Sequence, residues 1–244
     1  MSKLLILGGT QEGRALAEAI ARAQPDLHLI TSLAGATTKT PDLPGDVRVG
    51  GFGGVTGLVD YLKREAIDRV IDATHPFADT MTAHAVQACA EAHVPYLRLD
   101  RPAWDLPDTD VVFVPDAIEA ARLVARTSSS AFLTIGRKDL AAFHSLGKVK
   151  VLVRAIEQPD LELDNATYIT ARPPFTLKGE AALMQAHAID TLVTKASGGT
   201  ATRAKLDAAA QVGARIVLLR RPPPPDAERV LSVEDAVKWI TRQP

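Results

Sequence analysis

Cysteine is almost missing from this chain: Cys89 is the only one in 244 residues. A lone thiol excludes an internal disulfide framework and any cysteine-based metal cluster. Set in an alanine-rich stretch, Cys89 reads as a small core residue. A surplus of either charge is missing too. Lys and Arg total 28 against 29 Asp and Glu, a formal net charge of −1. A protein that blankets nucleic acid or an anionic membrane needs a basic excess, so neither partner is expected. No apolar run approaches the roughly 18 residues that cross a bilayer. The N-terminus enters a strand pattern without a cleavable apolar leader, which predicts a cytoplasmic protein.

Several catalytic signatures are also absent. The residues four after Tyr61, Tyr96 and Tyr168 are Glu65, Asp100 and Arg172, so no Tyr-x-x-x-Lys exists. There is no Gly-x-Ser-x-Gly elbow and no His-Glu-x-x-His zinc helix. The six histidines are dispersed, without the spacing of a metal site.

What is present begins with Leu4–Arg14, LLILGGTQEGR. The unbroken run Leu4, Leu5, Ile6, Leu7 predicts a strand buried on both faces of a parallel sheet. Gly8 and Gly9 break it, and Glu12, Gly13 and Arg14 open a helical stretch to about Ala23. Strand, glycine turn and helix start form the usual first unit of a nucleotide-binding α/β domain. The glycines let backbone approach a pyrophosphate, and the free N–H groups of the helix start donate to it. The fingerprint Gly-x-Gly-x-x-Gly is incomplete, since Thr10 holds the middle position, where its hydroxyl could meet a phosphate. A nucleoside-triphosphate loop fails, because Arg14 and Ala15 replace the lysine and the Ser/Thr. A tight βα turn with no ligand is the alternative.

A second strand is predicted over Leu27–Leu33. An acid at its end would select NAD; here stand Thr31 and Ser32, with no acid before Asp42 and with Lys39 nearby. Hydroxyls and a cation suit a 2′-phosphate, which favours NADP. The glycine cluster Gly50–Gly57 implies left-handed turns, backbone against a ligand, or a flexible loop. A buried strand at Arg69–Ala73 ends in Thr74, His75, Pro76 and Phe77, at the strand end where open α/β sheets collect ligands. His75 there is a candidate hydrogen-bonder or proton donor.

Arg101–Asp110 is rich in proline and aspartate and marks a domain boundary. The expected division is residues 1–103 and 104–244. Strand–helix alternation resumes beyond it. One strand delivers Gly136, Arg137 and Lys138 into a turn, and another ends in Arg172-Pro173-Pro174-Phe175. A third, Thr191–Thr194, leads into Lys195, Ala196, Ser197, Gly198 and Gly199, with Arg203 and Lys205 beyond. These cations at strand ends suggest a polyanionic ligand; Lys178 reads as ordinary surface charge. Pro222–Pro225 is a rigid spacer to a last amphipathic helix, Val233–Thr241, with Ser232 as its N-cap. The fold class is therefore α/β: two Rossmann-like domains with mainly parallel sheets and a cleft between them.

GGTQEGR, DATHPFA at Asp72–Ala78, TIGRKDL at Thr134–Leu140, RPPF at Arg172–Phe175 and TKASGG at Thr194–Gly199 occur in this order, followed by Arg203–Lys205. Together, over essentially the full length, they resemble the precorrin-6A reductases of cobalamin biosynthesis. The resemblance implies two Rossmann-like domains, NADPH as cofactor, and hydride delivery to one double bond of a polycarboxylate macrocycle. Transient handover of product to the next pathway enzyme is a further expectation. Gly8, Gly9, Thr10, Glu12, Gly13, Arg14, Ser32, Thr74, His75, Pro76 and Gly136 are then cofactor candidates. Arg137, Lys138, Arg172, Lys195, Ser197, Gly198 and Arg203 are substrate candidates, with Lys195, His75 and solvent as the alternative sources of the proton. A two-domain glycosyltransferase and a non-catalytic NADP sensor are the competing expectations.

Overall fold

The computed structural model describes residues 2–35, 42–158 and 161–242. The chain runs through β1 (Lys3–Leu7), α1 (Gln11–Ala23), β2 (His28–Leu33), β3 (Asp46–Val49), α2 (Gly54–Arg64), β4 (Arg69–Asp72), α3 (Asp79–Ala92) and β5 (Tyr96–Leu99). Next come β6 (Val111–Val114), α4 (Ala117–Thr127), β7 (Ser130–Thr134), the single turn α5 (Arg137–Leu140), β8 (Lys150–Ala155) and β9 (Ala166–Thr170). It ends with α6 (Leu177–Ala186), β10 (Thr191–Lys195), α7 (Ala204–Gln211), β11 (Arg215–Leu219), β12 (Arg229–Val230) and α8 (Val233–Arg242).

The apolar run of β1 is explained by its two covered faces. Leu4 and Ile6 pack with Leu16, Ala17 and Ile20 of α1 and with Ala236, Trp239 and Ile240 of α8. Leu5 and Leu7 point the other way, among Leu58 and Leu62 of α2 and Ala85, Ala88 and Cys89 of α3. Period-2 alternation thus becomes invisible in the sequence, because both faces are dry. Cys89 lies in this core as expected, and burial pushes its thiol up to about 12. Ser232 caps its helix as expected, accepting from the Asp235 N–H, and Thr10 and Asp116 do the same for the N–H groups of Gly13 and Glu119.

There are two six-stranded sheets, and every pairing in them is parallel. The first has the order β12-β5-β4-β1-β2-β3 and the second β6-β11-β10-β7-β8-β9. Counted within its sheet, the first follows the doubly wound 3-2-1-4-5-6 order, and the second has the same layout over β7 to β11 but takes its own first strand, β6, as the edge strand beside β11. The edge strands β12 and β6 thus come from unexpected parts of the chain. After β5 the chain leaves the first sheet, and β6 completes the second. The sixth strand of the first sheet is β12, made some 130 residues later.

This corrects the expected division. The chain separates into one compact unit of residues 1–102 with 222–244 and another of residues 103–221. Residues 222–242 do not belong with the second half, because two kinds of contact hold them to the first. Arg98 and Asp100 donate their backbone N–H to the carbonyls of Glu228 and Val230 at 2.9 Å each. Trp239 of α8 is buried against α1, with its indole N–H on Glu228 at 2.9 Å. β12 spans only two residues, too few for any periodic signal.

Candidate functional site

In the first unit three strand ends converge on the glycine turn. Gly8 donates to the carbonyl of Ser32 at 2.8 Å, tying the turn to β2. Thr10 donates its hydroxyl to the carbonyl of Ala73 at 2.8 Å, tying it to β4. The same oxygen accepts from Gly13 at 3.0 Å. The Thr10 hydroxyl is therefore committed inside the protein as cap and strap, which corrects the expectation that it meets a phosphate. What this turn offers an anion is backbone: the first N–H groups of α1 have no intrahelical partner. Gly9 has φ +103°, a conformation open to glycine, and a Cβ there would touch nothing within 4 Å. The turn thus leaves open space beside Gly9.

Glu12 sits in the first turn of α1, where the helix dipole favours an anion. Its carboxylate is paired with Arg101 at 2.6 Å, so it does not confront a phosphate as a bare charge. Arg14 lies exposed on the same turn. Ser32 is buried at the end of β2, and no acid occurs among residues 31–35. Lys39 lies outside the described residues.

The Thr74-His75-Pro76 segment is held by a buried polar network that the sequence did not announce. Asp72 is fully buried and forms an ion pair with Arg98 at 2.7 Å. Its carboxylate also accepts from the Thr74 N–H, the Thr82 hydroxyl and the Tyr96 hydroxyl at 2.9, 2.7 and 3.0 Å. Burial beside that carboxylate pushes the Tyr96 phenol far up, so it stays a donor. Arg98 in turn donates to the Thr74 carbonyl at 3.0 Å and to its hydroxyl at 2.9 Å. Four donors thus converge on the Asp72 carboxylate, and the network ties down the chain leaving β4. His75 accepts from the Phe77 N–H through Nδ1 at 3.2 Å, which leaves the proton of the neutral ring on Nε2.

In the second unit the ends of β7 and β10 meet. Lys195 places its ammonium 2.7 Å from the Asp139 carboxylate of α5, and a Cβ on Gly136 would stand 3.7 Å from the same nitrogen. Asp139 is the orienting partner that sequence reasoning missed. Ser197 and Gly198 are buried in the loop beyond, whose Ala196 and Ser197 carbonyls accept from Arg221 at 3.2 and 3.0 Å. Arg203 pairs with Asp207 at 2.9 Å, and its Nη1 is buried with no hydrogen-bond partner among the described residues. Arg137 and Lys138 are exposed on α5. Arg172 lies 3.6 Å from Glu157, with half of its side chain in solvent.

The RPPF segment acts through its phenylalanine. Phe175 covers the guanidinium of Arg154 at 3.8 Å, and Arg154 forms a two-pronged buried pair with Glu180 of α6. Beside them Lys205 is buried, with the Trp104 ring 5.5 Å from its ammonium. Burial, helped by the Arg154 charge and opposed by Glu180, brings Lys205 down to about 7. No local pattern around Lys205 marks it as internal. Among the described residues no group of acids, histidines or cysteines could hold a metal ion, and no helix is long and apolar enough to cross a membrane.

Two doubly wound parallel sheets, the first carrying a glycine turn against a helix start, define a Rossmann-like α/β protein. The family described as precorrin-6x reductase CbiJ/CobK matches residues 3–241. Precorrin-6A reductase of Mycobacterium tuberculosis is 47% identical over 249 residues, covering 100% of this chain and 99% of the relative. That of Rhodococcus erythropolis is 44% identical, covering 98% of each. A solved structure of CobK precorrin-6A reductase superposes with a TM-score of 0.92 at 36% identity, covering 99% of this chain and 97% of that one. The chain belongs to the precorrin-6x reductase family, oxidoreductases of cobalamin biosynthesis that act on a CH–CH bond.

Proposed function

We propose that this chain reduces one double bond of precorrin-6A to give precorrin-6B, with NADPH as the hydride donor, in the cytoplasm. The observation that carries the choice of cofactor is the glycine turn at β1 together with a β2 that ends in Ser32 rather than an acid. The residues present fit a dinucleotide: Gly9 leaves open space at the turn, and the first N–H groups of α1, that of Gly13 aside, have no intrahelical or capping partner to give up. When bound, NADPH supplies the hydride, and the protein's task is orientation and exclusion of water.

In this assignment Gly8, Gly9, Thr10 and Gly13 present backbone to the diphosphate, with Arg14 and the neutralised Glu12 at the helix start. Ser32 serves the ribose end. Thr74, His75 and Pro76, fixed by the Asp72–Arg98 network, line the nicotinamide side, and Gly136 completes the cofactor set. Arg137, Lys138, Arg172, Lys195, Ser197, Gly198 and Arg203 receive the substrate carboxylates. Reduction needs a proton as well as a hydride. His75 holds one on Nε2, and Lys195 holds one on an ammonium anchored by Asp139.

The test is incubation with NADPH and precorrin-6A, following loss of the nicotinamide absorbance and a product two hydrogens heavier. A sensor binds NADPH without consuming it, and a glycosyltransferase ignores it. Either result rejects the proposal, and the family match already weighs against the transferase. Lys195→Ala should lower kcat/KM at least about tenfold through a lost charged contact. Unchanged turnover removes Lys195 from the site.

A further inference from the structure

The Gly50–Gly54 cluster and Arg48 have no part in the assignments above, yet the structure joins them to Ser32. In the parallel register of β2 and β3, Ser32 faces Arg48. The guanidinium donates from Nη1 to the Ser32 hydroxyl at 2.7 Å and to the Gly50 carbonyl at 3.0 Å, and from Nη2 to the Gly51 carbonyl at 3.0 Å. It lies 3.9 Å from the centre of the Phe52 ring, with Tyr61 edge-on behind it. All of these partners are neutral. A half-buried cation has been oriented at four points, and among the described residues it forms no ion pair.

The glycines make that cradle. Gly50, at φ +120°, lets the chain leave β3 with two successive carbonyls turned onto the guanidinium. A Cβ on Gly57 would fall 1.8 Å from the Phe52 carbonyl oxygen, so the first turn of α2 packs directly on the loop that carries the stacked ring. Of the alternatives open for this cluster, the structure supports left-handed turns in the service of one arginine.

Its location gives the ligand. The end of β2 is where this fold reads the adenosine ribose: an acid there binds the 2′-hydroxyl, and an arginine accommodates a 2′-phosphate. Ser32, the hydroxyl that Arg48 holds, is also the residue whose carbonyl accepts from Gly8 of the phosphate turn. We propose that Arg48, cradled by the Gly50–Gly54 loop and hydrogen-bonded to Ser32, receives the 2′-phosphate of the dinucleotide and so sets the preference for NADPH over NADH. A guanidinium suits this task because its planar donors match phosphate oxygens and its charge is permanent. The inference rests on NADPH being the donor, as proposed above.

Direct binding separates the two claims. Wild type, Arg48→Gln and Arg48→Met are titrated with NADPH and NADH by nicotinamide fluorescence, and with 2′,5′-ADP and 5′-AMP by calorimetry. Losing the charged contact should weaken NADPH and 2′,5′-ADP about 10- to 100-fold. NADH and 5′-AMP should bind as they do to wild type. Each variant carries its own control, since both ligands of a pair meet the same loop. Arg48→Met keeps the stem on Phe52 and decides the matter should Arg48→Gln not fold. Equal weakening of both ligands, or an unchanged ratio in a wild type that does bind NADPH, overturns the assignment of Arg48 alone. A wild type that binds neither nicotinamide overturns the cofactor proposal itself.

Discussion

Replacing Lys205 by methionine removes a positive charge from inside the second unit, and the effect on stability should follow pH in one direction. Lys205 is 5% exposed and its ammonium is held down to about 7, from an ordinary 10.5. In the unfolded chain the side chain keeps its proton up to about 10.5, whereas in the folded chain it loses it above about 7. Between those values the unfolded state binds more protons, so folding becomes more favourable as pH rises. Below about 7 both states are protonated, and the cost of the buried charge is borne in full. From pH 7 to pH 9 the wild type should therefore gain about 2 kcal/mol relative to Lys205→Met, the integrated effect of that proton difference. The Trp104 ring, which favours the ammonium, works against this gain. The assay is urea unfolding at the two pH values in a Trp239→Phe background, where Trp104 is the only remaining tryptophan and reports on its own unit. A stability difference that is the same at both pH values would refute the argument and mean that Lys205 has a counter-charge or water in the folded state.

Two further substitutions test the fold around the proposed cofactor. Gly57→Ala drives a Cβ into the Phe52 carbonyl and should cost about 1–3 kcal/mol, as overpacking does; NADPH affinity should fall with it, and an unshifted Tm would show that the loop yields freely. Trp239→Ala empties the α1–α8 contact and should cost about 3–5 kcal/mol in chemical denaturation; a loss under about 1 kcal/mol would mean that α8 is not a structural part of the first unit.

The features legible in the sequence were those written in short-range patterns. The apolar run of β1, its glycine stop, the helix that starts just after it and the Ser232 cap of α8 each occupy a few consecutive residues whose chemistry is local. Two Rossmann-like sheets followed from counting such units. Long-range pairings were not legible. Nothing near Lys195 announces Asp139, nothing near Glu12 announces Arg101, and nothing near Ser32 announces Arg48; parallel strands bring Ser32 and Arg48 level, while Asp139 and Glu12 stand on helical turns that the fold carries to partners distant in sequence. Thr10 was misjudged for the same reason, since its second partner is the carbonyl of Ala73. Lys205 shows the reverse case: a lysine in an ordinary helical sequence is internal because Trp104, contributed from another stretch of the unit, closes over it.

The late arrival of β12 and α8 has a consequence for biosynthesis. A ribosome releases the first hundred residues with a sheet lacking its outer strand and with Leu16 and Ile20 of α1 lacking their cover. The part made first is thus the part completed last, at translation rates of about 5–20 residues per second. For several seconds that half must persist as an unfinished body, while the part made after it already has every strand it needs. Fragments cut at residue 102 should inherit the same asymmetry: the leading piece sticky, the trailing one burdened with a tail that has nowhere to dock.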